Sequence, residues 1–248
     1  VGFSREAPSP ERREPVGIRE FVSGLFQTWR LSYSFRFFIV AVILTSFGGL
    51  GMGGCLATPF LMRRAIDRMG ATDTYVGVAT AVLVAGQVMA GLFCGRLVDR
   101  VSARLVFFLN MIASVFGLLL AVLMPDEWLW PFLAVFLMTG AARGMTSTSY
   151  HPCIMEMVPE SMRPQCLGLA NFIRSPTFIL APYMGGLVLS GSGENGFTVL
   201  FLVGLIFAVV NLVVFLAGVG IGRRTLPEDP GENAAAGIQP GPAARPRR

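Results

Sequence analysis

Residues 74–95 read TYVGVATAVLVAGQVMAGLFCG without a single charge, and the chain then continues Arg96-Leu97-Val98-Asp99-Arg100. At about 1.5 Å rise per residue, such a stretch crosses a hydrocarbon core roughly 30 Å thick. Five further segments share its character: 37–62, 105–125, 128–155, 166–189 and 197–222. The expectation is an all-α polytopic membrane protein of six transmembrane helices, whose function sits inside a helical bundle.

Composition agrees. Apolar residues make up 53% of the 248 and charged residues 14%, with mean hydropathy +0.62. Soluble domains carry about 25% charged residues, so this chain is built for lipid. Every basic residue is Arg; there is no Lys. The net charge of +5 does not point to nucleic acid, because the arginines are spread among tails and short loops, where basic residues act as topology signals. The four cysteines, Cys55, Cys94, Cys153 and Cys166, lie in spans or at their edges with no CxxC pair, so neither a disulfide framework nor a metal site is expected. No cofactor is expected either.

Before the first span, residues 1–35 are polar and charged, and positions 18, 21, 22, 25, 26 and 29 follow helical spacing, which predicts a short amphipathic helix at the membrane surface. The bundle proper is placed at 36–224. After it, residues 225–248 hold Pro, Gly, Ala and Arg without periodicity and read as a disordered tail. Arginines concentrate in the first 36 residues, in 96–104, at Arg163 and after 222; only Arg63, Arg64 and Arg68 fall on the other side. The positive-inside rule then puts both termini in the cytoplasm of a plasma (inner) membrane protein.

The spans are not equivalent. The third and sixth are the plainest, as lipid-facing helices should be. The fourth carries Thr139, Arg143, Thr146, Ser147, Thr148, Ser149, Tyr150 and His151. The first holds Gly48, Gly49, Gly51, Gly53 and Gly54, too many for a tightly regular helix. Polar or glycine-broken segments at membrane depth must face protein or water. A period of three emerges, which fits two inverted three-helix repeats.

The run Gly95, Leu97, Asp99, Arg100 and Arg104, read as a loop, resembles the signature between the second and third helices of a half in the major facilitator superfamily. Ser102 and Ala103 stand where the pattern has Gly and a basic residue. Glu156, Glu160 and Arg163 resemble the acidic loop that follows the fourth helix in that family. Gly95 would allow close helix approach, Asp99 would accept from a helix N-terminus or an arginine, and the loop arginines would pair with the acids. The resemblance covers residues 36–222, six of the twelve helices usual in the family. Residues 1–35 look like the linker between halves, so the expectation is the C-terminal half, partnered by the other six-helix half from the same parent chain or a second subunit. Arg143-Gly144 is similar to an element of the fourth helix. Ala181-Pro182-Tyr183-Met184-Gly185-Gly186 echoes an antiporter element whose first glycine is replaced, so antiport does not follow from it.

The resemblance implies a secondary transporter or facilitator working by alternating access on a small solute, with Gly95, Asp99, Arg100, Arg104, Glu156 and Arg163 as a conformational latch on the cytoplasmic face. Arg143 is the sharpest single residue. It lies about 18 Å from the end of its span at helical rise, and an arginine near the bilayer centre costs about 2.5–3.5 kcal/mol on insertion scales. No Asp or Glu lies within the spans to neutralise it, so it pairs structurally or contacts an anionic or carboxylate-bearing solute. Arg174 sits at comparable depth in the fifth span, where snorkelling competes with a binding role. Tyr150, Asn171 and Gln87 are further cavity candidates. His151, the single histidine, is the available proton-coupling group or a helix-end hydrogen-bonder. Pro176 and Pro182 suggest kinks in the fifth span. An intramembrane hydrolase would have to use Ser147 or Ser149 with His151 on one helix, without a Gly-x-Ser-Gly pattern, so no enzyme is expected. The alternative to a carrier is a non-transporting scaffold or sensor of the same shape.

Overall fold

The computed structural model describes residues 33–51, 56–158 and 163–219, and among them every regular element is helical. The expected interfacial helix at 18–31, the tail after 224, and Glu160 lie outside these residues. Four segments are long and apolar enough to cross a membrane: Asp73–Arg100, Ala103–Leu123, Arg163–Gly191 and Gly193–Gly218. The other two spans depart from a simple apolar helix, and each departure has a visible cause.

The first span is broken. Helix α1 (Tyr33–Gly48) stops at the glycines, and α2 (Thr58–Asp67) starts afresh with proline in its first turn, where a missing N–H costs nothing. The glycines are required by close approach. A Cβ on Gly48 would strike the backbone of Ala208, and one on Gly51 would strike the Thr146 hydroxyl. The fourth span, α5 (Leu133–Met155), has the length to cross, but Arg143 and its run of hydroxyls keep it out of the apolar set.

Helix α3 (Asp73–Arg100) is capped by the Thr72 hydroxyl, which accepts from Tyr75 N at 3.4 Å. It runs straight through the signature residues, so the expected loop of ten residues shrinks to Val101 and Ser102 before α4 (Ala103–Leu123). Residues 96–100 still satisfy helical hydrogen bonding because their charged side chains lie outward; Arg96, Asp99 and Arg100 are exposed. The fifth span divides at Ser175-Pro176 into α6 (Arg163–Arg174) and α7 (Thr177–Gly191), as the missing proline N–H dictates. After a short 3₁₀ turn, α8 (Gly196–Gly218) closes the bundle.

Packing centres on α5, which lies along α3 and α4, while α8 joins α4 to α1 and α6 and α7 sit to the side. Inside a bilayer, apolar contact gains little over lipid, and close approach of small residues decides which helices associate. The α3–α5 pair shows this. A Cβ on Gly140 would meet the Leu83 carbonyl oxygen and Gln87 N, and one on Gly144 would meet the Gln87 carbonyl oxygen and Gly91 N. A Cβ on Gly86 of α3 would lie 2.7 Å from the Leu137 carbonyl oxygen, again too close for a side chain. Gly95, expected to serve this purpose, has nothing within 4 Å of its would-be Cβ. The close crossing occurs two turns earlier along α3.

The third and sixth spans are also more than lipid padding. Each is split lengthwise. Phe116, Leu119 and Leu123 of α4 and Ile206, Val213 and Leu216 of α8 are exposed, whereas Asn110, Ser114 and Asn211 face inward and are buried. Around them the core has two apolar parts. One, with Phe38, Phe107, Ile154 and Phe215, lies toward the α3–α4 junction; the other, with Leu61, Tyr75, Phe132 and Phe201, lies at the opposite end. Between the two parts runs a polar layer of Thr45, Asn110, Ser114, Thr146 and Asn211. Asn211 Nδ2 donates to Thr45 Oγ1 at 2.8 Å across it, an interhelical bond worth about 0.6 kcal/mol in lipid.

Replacing Gly140 with leucine is expected to force α3 and α5 apart and lower stability by about 3 kcal/mol, while Gly95→Ala should stay within about 0.5 kcal/mol of the parent. Thermal unfolding of the two variants in detergent micelles measures both.

Candidate functional site

Arg64, Arg104, Arg143 and Arg174 lie at membrane depth or its edges, and the structure separates them by partner. Arg104 is buried at the start of α4, where its Nη2 donates to the Glu156 carbonyl at 3.0 Å and its Nε lies 3.6 Å from Glu156 Oε2. The Glu156 carboxylate does more. It accepts from Ala103 N at 2.8 Å and from Ser102 Oγ at 3.1 Å, so a negative charge from the end of α5 sits on the positive N-terminus of α4. Ser102, which departs from the family pattern, is the N-cap of α4, its hydroxyl accepting from Arg104 N at 3.1 Å. Asp99, expected to accept from a helix N-terminus or an arginine, is exposed, and the helix N-terminus is taken by Glu156. Arg163 opens α6 and is half-buried.

Arg64, counted from sequence among the charges on the side opposite Arg96, Arg100 and Arg104, lies at the C-terminal end of α4, the other end from Arg104. It is 4% exposed. Its Nε and Nη2 donate to Asp126 Oδ1 at 3.0 and 2.8 Å, Nη2 to the Met124 carbonyl at 2.7 Å, and Nη1 to the Ala121 carbonyl. The guanidinium also lies 5.6 and 5.7 Å from the ring centroids of Phe132 and Phe201. A cation thereby satisfies the last carbonyls of α4, where the helix dipole is negative. The sequence signal was present in Asp126, since a carboxylate just past a span is the natural mate for an arginine just past another.

Arg174 ends α6 at the proline break. Its guanidinium stacks 5.1 Å from the Tyr150 ring centroid and 4.9 Å from that of Phe178. Tyr150 is buried in the core, and its hydroxyl lies 3.4 Å from Asn171 Oδ1. The structure thus gathers Tyr150, Asn171 and Arg174 into one cluster, with His151 edge-on to Tyr150 at 5.1 Å. Arg174 remains half-exposed and Asn171 exposed, so a polar face is left open beside the stacked rings.

Arg143 has a different environment. Among the described residues it makes no hydrogen bond or ion pair, and it is half-exposed in the middle of α5. Ser147 and His151 follow at helical spacing on the same stripe, and both are exposed. Gln87 is half-buried at the same level, since its backbone contacts Gly140 and Gly144 on either side of Arg143. The candidate site is therefore this stripe of α5 with Gln87 above and the Tyr150–Asn171–Arg174 cluster two turns along, about 10 Å by helical rise. In contrast, α1, also expected to line a cavity, packs mainly along α8 with α6 and α7 beside it, and Val40 is its one exposed residue among 34–50. Ser147 and Ser149 spend their hydroxyls on the Gly144 and Met145 carbonyls, at 2.9 and 2.6 Å.

Glu156→Gln is expected to cost about 1–2 kcal/mol through loss of charge at the α4 N-terminus, and Arg64→Met about 3 kcal/mol by leaving two carbonyls unsatisfied. Denaturant or thermal unfolding in micelles gives both numbers. The family model described as Major Facilitator Superfamily matches residues 65–246. No curated protein and no solved structure matches the chain.

Proposed function

The chain belongs to the major facilitator superfamily, and we propose from that premise that it carries a small anionic or carboxylate-bearing solute across the membrane by alternating access, as one half of the carrier. The observation that carries the proposal is Arg143. Holding a guanidinium in the middle of a spanning helix is costly, and Arg64, Arg104 and Arg174 each have partners that offset the cost. Arg143 has none among the described residues, and an anionic ligand supplies the charge-assisted hydrogen bonds it lacks.

Gln87 would add a neutral hydrogen bond at the same level, and Arg174 a second cation held in a fixed pose by its two rings. Tyr150 acts through Arg174 and Asn171, being buried itself. His151, exposed on the stripe, is the group available for proton coupling. The Glu156–Arg104 junction would form the fixed part of a latch on the cytoplasmic face, leaving the exposed Asp99 and Arg100, with Gly95 and Arg163, to meet the other half. The exposed apolar faces of α3 (Val88, Leu92, Phe93) and α7 (Ile179, Tyr183, Leu187) support packing against that sister bundle.

In liposomes holding the intact carrier, Arg143→Gln should lower uptake of carboxylate-bearing solutes about tenfold or more at an unchanged unfolding midpoint. Ser147→Cys should react with a water-soluble thiol reagent, and added solute should protect it. Full transport by Arg143→Gln would refute the binding role, and no flux of any solute by the parent would favour a scaffold.

A further inference from the structure

The polar layer between the two apolar cores contains a site that the transport reading does not use. Thr45 of α1, Asn110 and Ser114 of α4 and Asn211 of α8 converge beside Gly48 and Gly49, where α1 stops. Asn110 is fully buried, yet neither its Oδ1 nor its Nδ2 has a hydrogen-bond partner; Oδ1 of Asn211, 2% exposed, has none either. Asn110 Oδ1 is turned toward the unwound stretch and stands 3.3 Å from the place a Cβ on Gly51 would take.

The hydroxyls around these amides have already given up their protons. Thr45 Oγ1 donates to the Ala41 carbonyl at 2.7 Å, and Ser114 Oγ donates to the Asn110 carbonyl at 2.9 Å. Each also accepts one bond, from Asn211 Nδ2 and from Leu50 N, and has one lone pair left. Four oxygens can thus only accept, and the spare donors beside them are the amide protons of Asn110 Nδ2 and the second proton of Asn211 Nδ2. The C-terminal end of α1, with its partial negative charge, points into the same place. Water brings two donors and two acceptors and needs more room than these side chains leave.

We propose that this cluster binds a dehydrated monovalent cation, sodium, through Asn110 Oδ1, Asn211 Oδ1 and the hydroxyl oxygens of Thr45 and Ser114. A divalent ion is disfavoured because calcium and magnesium sites rely on carboxylates, and none lines this cluster. An ion at the break of a discontinuous helix also suits a membrane protein, since irregular backbone there faces protein and not lipid. The site lies among α1, α4 and α8, apart from the exposed stripe of α5, so it stands or falls independently of the solute assignment.

The test is thermal unfolding of the purified chain in detergent at constant ionic strength, with sodium chloride replacing choline chloride. The unfolding midpoint is expected to rise with sodium and saturate, as ligand linkage requires. Asn110→Asp, which adds a carboxylate, should lower the half-saturating sodium concentration about tenfold, and Asn110→Ala should abolish the response. If the alanine variant does not fold, the parent and the aspartate variant decide. A midpoint equal in sodium and choline overturns the proposal, whether or not a water is later seen there. So does a sodium response that Asn110→Asp leaves unchanged, which would place the ion elsewhere.

Discussion

Helix α4 is held at each end by a charge of the sign its backbone dipole requires. The Glu156 carboxylate covers its N-terminal amides, and the Arg64 guanidinium covers its C-terminal carbonyls. Both charges come from other elements, Glu156 from the end of α5 and Arg64 from α2. Fixing α4 therefore also fixes the α3–α4 turn, the end of α5 and the restart of the broken first span. Because these bonds sit where lipid gives way to water, they form without the full penalty of burying ions at the bilayer centre. The buried layer between the two apolar cores is left to neutral groups, the Thr45–Asn211 bond among them.

Much of this architecture was legible in the residues. Charge-free stretches gave the spans, the glycine run predicted the break in the first, and Pro176 marked the division of the fifth. The Arg104–Glu156 pairing followed from the resemblance of the two charged loops. What escaped reading was lateral placement. Hydropathy says that a helix lies in lipid but not which stripe faces a neighbour, so the third and sixth spans read as plain lipid-facing helices although their Asn110 and Asn211 are buried in the core. The same blindness misplaced the close contact, assigned to Gly95 and made by Gly86, Gly140 and Gly144. Charge counting sorted Arg64 by side and said nothing of its burial, because it weighs a residue by position along the chain and ignores a mate such as Asp126, sixty-two positions away.

Around the candidate site, the sequence named the right residue types without their grouping. Tyr150, Asn171 and Arg174 come together only because α6 ends at a proline beside the last turns of α5. The contrast between Arg174, stacked on two rings, and Arg143, with no partner among the described residues, is invisible in a string where both are lone arginines. It separates one cation anchored on aromatic rings from one with no partner among the described residues.

The glycine contacts between α3 and α5 carry a kinematic consequence. Backbone pressed on backbone at Gly140 and Gly144 leaves no side chain to repack, so the two helices can only travel as one rigid beam. Gln87 and Arg143, riding on that beam, keep their separation through any motion of the bundle. Arg174 stands on α6, beside the proline joint that divides the fifth span, so a swing of that helix would change its distance from both.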